Sequence, residues 1–250
     1  MKILVLNPNT SESVTEKIAG VARRFARPDT ELLFVTAPYG VPYIATRTEA
    51  LIGGQVALEV IAEREAEVDA VVLAAFGDPG LGALREMFSI PIVGLAEASM
   101  LAACTLGRTF SIVSFSTNLQ AWYRECVEWH RMENRLASIR MLDRPFDDIG
   151  SVQADFEDML VELANRAIRE DGADVIITAG APLAGLAARV RSRIGVPVVE
   201  GVAAAVGMAE LLGTQALRPP RSGAFRRPPA KPSTGLSPAL ADLIGKGGDS

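Results

Sequence analysis

Two short loops carry the residue types that bind and polarise a carbonyl or carboxylate. Asn7-Pro8-Asn9-Thr10-Ser11 follows an apolar run and precedes an amphipathic stretch, so it ends a strand and opens a helix. Thr10 or Ser11 can cap that helix, and the free N–H groups of its first turn, with the helix dipole behind them, favour an anionic or polarised oxygen. Ser114-Phe115-Ser116-Thr117-Asn118 has the same character, with Thr117 and Gln120 at capping-box spacing. Plain capping accounts for either loop alone; their occurrence at two strand ends favours a binding role. Phe76-Gly77-Asp78-Pro79-Gly80 is a sharp turn into a further helix, in which Asp78 is either a general base or the N-cap, with Pro79 in the first helical position. Ala181-Pro182-Leu183 offers a similar turn without a titratable group.

Other catalytic signatures are missing. The sequence contains no G-x-S-x-G elbow, no Walker A loop and no G-x-G-x-x-G fingerprint. The single histidine, His130, lies in a helical stretch beside Trp129, Arg131 and Glu133. One histidine with two well-separated cysteines does not make a usual zinc spacing, so no metal is expected. Cys104, in an alanine-rich helical stretch, reads as a small core residue, and Cys126 as a mid-helix residue among charges.

The loops need elements to hold them. Short β-branched runs near 2–7, 32–37, 69–75, 91–95, 109–114, 137–142, 174–179 and 197–200 alternate with amphipathic stretches, which predicts parallel-sheet α/β structure. The series repeats. Asp69-Ala-Val-Val-Leu-Ala-Ala75 aligns with Asp174-Val-Ile-Ile-Thr-Ala-Gly180 at an offset of 105, and Gly80-Leu81 falls on Gly185-Leu186. Pro91-Ile92-Val93 falls on Pro197-Val198-Val199 and Ala98 on Ala204 at 106; the run from Ile3 to Asn7 falls on that from Phe110 to Ser114, and Thr10 on Thr117, at 107. Four blocks within two residues of one offset indicate a duplication. The expected fold is two duplicated open parallel-sheet α/β domains related by a pseudo-twofold, residues 1–96 with 202–213 and residues 97–201. Ligands of such sheets sit beyond the carboxyl ends of the strands, so the site is expected in the cleft between the halves, among loops 7–11, 76–80, 114–118 and 181–185.

Composition sets the boundaries. With 250 residues, 49% of them hydrophobic, the chain can bury a substantial core. A formal net charge of −5 argues against nucleic acid as a partner. No apolar run approaches the roughly 20 residues of a membrane span, and the N-terminal Met1-Lys2 with its short apolar run reads as a first strand rather than a signal peptide. Two cysteines give no disulfide framework, and a reducing cytoplasm is the expected compartment. Residues 214–250 form a Pro/Arg-rich arm, with six Lys/Arg against two Asp. Pro219-Pro220 and Pro228-Pro229 forbid regular helix there, and 237–244 is a candidate short helix with Ser237 as cap.

N-P-N-T-S at 7–11, F-G-D-P-G at 76–80, G-L-A-E-A at 94–98 and G-V-A-A-A at 201–205 together resemble the Asp/Glu/hydantoin racemase superfamily, most closely its hydantoin and allantoin racemase branch, from Met1 to about Leu212. The resemblance implies a cofactor-independent enzyme in which two cysteines on opposite faces of the substrate remove and return the proton beside a carbonyl. The positions that match those cysteines hold Ala75 and Gly180, the pair the internal repeat superposes. The resemblance further implies that Asn7, Thr10 and Ser11 from one half and Ser114, Thr117 and Ala181 from the other hold the substrate. Phe76 and Ile44 shape its pocket, and Tyr43, Arg47, Asp78 and Glu200 are the titratable residues nearby. Tyr43 and Asp78 are then the candidate bases, Tyr43 with Arg47 as a cationic neighbour, while Glu97 and Glu200 can also serve as helix-start carboxylates. Three readings follow: an isomerase acting through an enolate-like intermediate on a small hydantoin-like or amino-acid-like substrate, a single-base lyase or decarboxylase, and a non-catalytic binding or regulatory protein. By resemblance the chain is also expected to form a homo-oligomer.

Overall fold

Each apolar run read as a strand pairs into a parallel sheet. In the computed structural model, which describes residues 1–145, 148–215 and 222–247, β1 (Lys2–Asn7), β2 (Glu31–Thr36), β3 (Ala70–Leu73) and β4 (Ile92–Gly94) form one sheet in the order β2-β1-β3-β4. β5 (Phe110–Ser114), β6 (Leu136–Met141), β7 (Val175–Thr178) and β8 (Val198–Val199) form a second in the matching order β6-β5-β7-β8. The inner strands are largely apolar because parallel sheets are covered on both faces; every residue of β3 is buried, whereas the edge strands β2 and β6 are mostly half-buried. The runs at 69–75 and 174–179 continue past the ladders, and their ends leave the sheets as the two strand tips.

The helices are α1 (Glu12–Phe25), α2 (Arg47–Arg64), α3 (Leu81–Met87), α4 (Leu95–Leu106), α5 (Gln120–Trp129), α6 (Val152–Asp171), α7 (Leu186–Val190), α8 (Gly201–Gly213) and α9 (Pro238–Lys246). Ser11 is the N-cap of α1, accepting from the Val14 N–H at 3.4 Å. Thr46 and Glu49 form a reciprocal capping box at α2. The box expected at Thr117 and Gln120 does not form: Thr117 opens a 3-10 turn, Thr117–Leu119, that shifts the start of α5 to Gln120.

Two helices interlock the sheets. α4 follows β4 yet packs on β7 and β8; α8 follows β8 and returns to β3, β4 and α1. One core therefore runs through both halves, with Val72, Phe76 and Leu95 in the same cluster as Ile112, Ile177 and Val202. The other face of the first sheet packs Leu4, Leu6, Val71 and Leu73 with Val56 and Val60 of α2 and Leu240 and Leu243 of α9. The C-terminal arm is thus seated on its own chain through α9, which starts at Pro238 as the sequence predicted, although the Ser237 side chain before it makes no cap hydrogen bond. Pro228-Pro229 lies in non-helical chain, and Pro219-Pro220 lies outside the described residues. Among the described residues no helix is long and apolar enough to cross a membrane.

Candidate active site

The strand tips are held by the ladders behind them: Ala74 donates its N–H to Leu6 O at 2.8 Å and Ala179 donates to Val113 O at 2.9 Å. One residue further on, Ala75 and Gly180 line a single cavity of about 30 Å³. Asn9, Tyr43, Ile44 and Phe76 from the first half complete it, with Phe115, Leu119, Trp122, Tyr123, Ala181 and Pro182 from the second. Of the residues singled out in the sequence, the fold therefore gathers Tyr43, Ile44, Ala75, Phe76, Gly180 and Ala181. A cavity this small holds about one water, so a ring enters only if its walls move.

Asn7 and Ser114 are fully buried and stand outside that lining. The Asn7 amide donates to Asn9 Oδ1 at 3.0 Å, Ser11 O at 3.1 Å and Thr15 Oγ1 at 3.0 Å, which fixes the shape of the 7–11 loop. Asn9, which sequence reasoning did not single out, is the member of that loop in the lining. The Ser114 hydroxyl donates to Ala179 O at 2.7 Å, tying the β5 and β7 tips. Thr10 and Ser11 are partly buried outside the lining, the Thr10 N–H donating to Val41 O at 2.9 Å, and Thr117 is exposed.

Two groups flank Gly180. Tyr123 places its hydroxyl 3.5 Å from where a Gly180 Cβ would sit. Burial drives its pKa far above the ordinary phenol value, partly offset by a hydrogen bond with Ser114, so the phenol keeps its proton and serves as a hydrogen-bond donor. Glu200, the N-cap residue of α8, lines an adjoining space of about 10 Å³ that shares Phe76, Gly180 and Ala181 with the first cavity. Burial pushes the Glu200 carboxyl up to about 7, against N–H bonds from Gly185 (2.9 Å) and Val202 and the charge of Arg24.

The structure corrects the expectation of Asp78 as a local cap. Asp78 takes a left-handed φ of 50°, and α3 starts beyond it with Gly80 as N-cap. Its carboxylate reaches α4 instead, accepting the Ala96 N–H at 2.8 Å and the Glu97 N–H at 2.9 Å. Gly94 makes this possible, since a Cβ there would lie 2.4 Å from Asp78 Cγ. Asp78 lines a second, larger cavity of about 650 Å³ together with Arg47, Trp122, Glu125, Cys126 and His130. With both oxygens engaged and outside the small cavity, Asp78 is poorly placed to take a substrate proton there. Arg47 is likewise engaged, its guanidinium held by Glu125 of α5 through Nε at 2.8 and 2.9 Å.

His130 joins this cluster from the end of α5. Its Nε2 lies 3.1 Å from Asp78 Oδ2 and its Nδ1 3.6 Å from Glu97 Oε1, and Glu97 in turn pairs with Arg85. The Cys126 thiol is buried among these carboxylates, which drives its pKa well above the ordinary value; burial contributes most, then Asp78 and Glu97. It lies outside the lining of the small cavity. The one signal for this cluster in the sequence is the four-residue spacing of Cys126 and His130, which puts both on one helix face.

The sequence pattern of the Asp/Glu/Hydantoin racemase family matches residues 3–209, and the chain belongs to that family of isomerases. It is 35% identical over 239 residues to the hydantoin racemase of Paenarthrobacter aurescens, covering 92% of this chain and 99% of that one. It is 34% identical to the hydantoin racemase of Pseudomonas sp. (strain NS671), over 85% of this chain and 86% of the relative. Among solved structures it is similar to the allantoin racemase from Klebsiella pneumoniae, with a TM-score of 0.89, 34% identity and coverage of 97% and 98% of the two chains.

Proposed function

We propose that this chain is a cofactor-independent racemase-type isomerase that acts beside a carbonyl of a small hydantoin-like or amino-acid-like compound, held between the two sheets, and that it does so without a pair of thiols. The observation that carries the reading is that Ala75 and Gly180, at the tips of equivalent strands, line one cavity whose described residues include no cysteine. The hydantoin and allantoin racemases among its relatives supply the substrate class.

With no thiol at hand, we assign proton abstraction to Glu200. A carboxyl raised to about 7 by burial is matched to work as a base near neutral pH. Its carboxylate takes the proton from the carbon next to the carbonyl, and the electron pair left behind moves onto the carbonyl oxygen as an enolate. Return of a proton from Glu200 gives exchange with retention. Return from the hydroxyl of Tyr43, on the first half of the chain, gives inversion.

The test is proton–deuterium exchange at that carbon in D₂O, read with optical rotation, on 5-substituted hydantoins, allantoin and free amino acids. Wild-type protein is expected to exchange at least one of them, with a rate that climbs with pH through about 7 and then levels. Glu200→Gln should lose exchange by roughly 10²-fold or more, and Tyr43→Phe should keep exchange while inversion slows. Undiminished exchange in Glu200→Gln removes the assigned base. A second reading, a small-molecule-binding or regulatory protein, is favoured by the same thiol-free lining. It takes over if no compound exchanges yet one of them raises the melting temperature. Release of CO₂ from a carboxylated analogue would instead mark a single-base lyase.

A further inference from the structure

The Asp78–Cys126–His130 cluster lies outside the proton-transfer cavity and plays no part in the chemistry proposed above. Its three ligand-type atoms, one carboxylate oxygen, one thiol sulfur and one imidazole nitrogen, all lie within 4.8 Å of one another. We propose that they form a site for a divalent first-row ion of zinc's class, opening on the larger cavity.

Geometry and donor chemistry both support this. Tetrahedral bonds of about 2.0–2.3 Å put ligand atoms roughly 3.3–3.8 Å apart. Asp78 Oδ2 and His130 Nε2 are already 3.1 Å apart, so bringing in the sulfur needs about an ångström of side-chain adjustment. Cys126 and His130 come from consecutive turns of one helix and its end, and Asp78 from a turn fixed by two backbone N–H groups of α4. A sulfur, a nitrogen and an oxygen select zinc or cobalt over magnesium or calcium, which need oxygen ligands. The surroundings are those of a ligating histidine. Glu97 stands 3.6 Å from the second ring nitrogen, and Arg85 holds Glu97 in place; a shift of about half an ångström would close the carboxylate–histidine hydrogen bond that orients a ring on a metal. All three ligands also line the cavity of about 650 Å³. Three protein ligands beside a cavity of that size leave the fourth position for water or a small molecule. Metal binding must displace the thiol proton and the direct contact of Asp78 with His130, and the ion's own charge drives both.

Cobalt(II) alone, titrated into chelator-treated full-length protein, tests the proposal without any assay of activity. One equivalent should produce a sulfur-to-cobalt charge-transfer band in the near ultraviolet together with tetrahedral visible bands, and zinc(II) should bleach both. Cys126→Ser should lose the charge-transfer band. His130→Gln, which removes a ligand, should weaken binding by more than the roughly 10–100-fold that loss of an outer-shell partner costs, and Cys104→Ser should change nothing. Absence of any cobalt spectrum in the wild-type protein overturns the proposal whatever the variants do. A band that survives Cys126→Ser, or disappears in Cys104→Ser, overturns it as well. Because the readout is spectroscopic, the racemase reading can fail or stand without touching this result.

Discussion

Gly180 determines which side of the candidate active site can carry a new side chain. Its φ of 110° belongs to glycine, and an added Cβ would lie 3.0 Å from the Phe115 ring. Ala75 has no such constraint, since it is not among the residues of positive φ. Putting cysteines at both positions therefore has unequal costs: Gly180→Cys should lower stability by about 1–3 kcal/mol, whereas Ala75→Cys should melt close to wild type. Equal melting temperatures for the two variants would show that the β7 tip relaxes freely. Glu200 yields a second test at this scale. A carboxyl whose folded pKa lies above its unfolded one binds its proton more tightly when folded. Its contribution is present below about 4.5 and is lost as pH rises through about 7. The rise corresponds to at most on the order of 3 kcal/mol. Glu200→Gln should then gain stability over wild type at pH 8 and not at pH 4.5, measured by urea unfolding; a gain independent of pH would mean the charge is not what burial penalises. The tips 75 and 180 were legible because a strand repeat fixes their equivalence. The environment of Glu200 was not, since it depends on Gly185 and Phe76, residues that no local pattern connects to it.

Among the elements, α4 illustrates how a helix start can be set from a distance. Its cap is the Asp78 carboxylate, which belongs to the turn after β3, and Gly94 leaves the room for it. A cap read from neighbouring residues, here Asp78 followed by Pro79 in a first helical position, is assigned to the next helix, and in this case that is the wrong one. The same locality limit hid His130, which meets Asp78 only after α5 packs on the 76–80 turn. Strands suffered less, because continuous apolar runs signal burial on both faces wherever they occur in the chain. The α4 arrangement can be tested by a double-mutant cycle in the presence of chelator. Gly94→Ala should cost about 1–3 kcal/mol because the new methyl displaces the Asp78 carboxylate. The same change should cost markedly less in an Asp78→Ala background, where no carboxylate remains to be displaced. Additive penalties would place the cost of the Gly94 methyl elsewhere.

At the scale of the molecule, the crossing of α4 and α8 makes the two halves thermodynamically one object. α4 completes the covering of the second sheet and α8 that of the first, so neither sheet keeps a full core if the other unfolds. α8 is also anchored electrostatically. Its buried Glu210 accepts the Arg27 N–H at 2.8 Å and the Thr30 hydroxyl at 2.7 Å, both just beyond the end of α1. The cleft that holds Ala75 and Gly180 together depends on this exchange, because loops on independently opening domains could not keep a closed space between them. Both tryptophans, Trp122 and Trp129, sit on α5 with their rings against Gly77 and Gly82 of the first half, so their fluorescence reports the join between the halves, whereas far-ultraviolet circular dichroism reports all helices. Shared-core unfolding requires the tryptophan fluorescence and dichroism curves in urea to coincide, with one midpoint and one slope. Glu210→Ala should shift both curves together although it lies on the first sheet's side, by about 1.5–3 kcal/mol, from the loss of its carboxylate bonds to a part-buried amide and hydroxyl. A dichroism transition that moves in Glu210→Ala while the fluorescence transition stays fixed would mean that the halves open separately, and a site formed between them would then be a transient one.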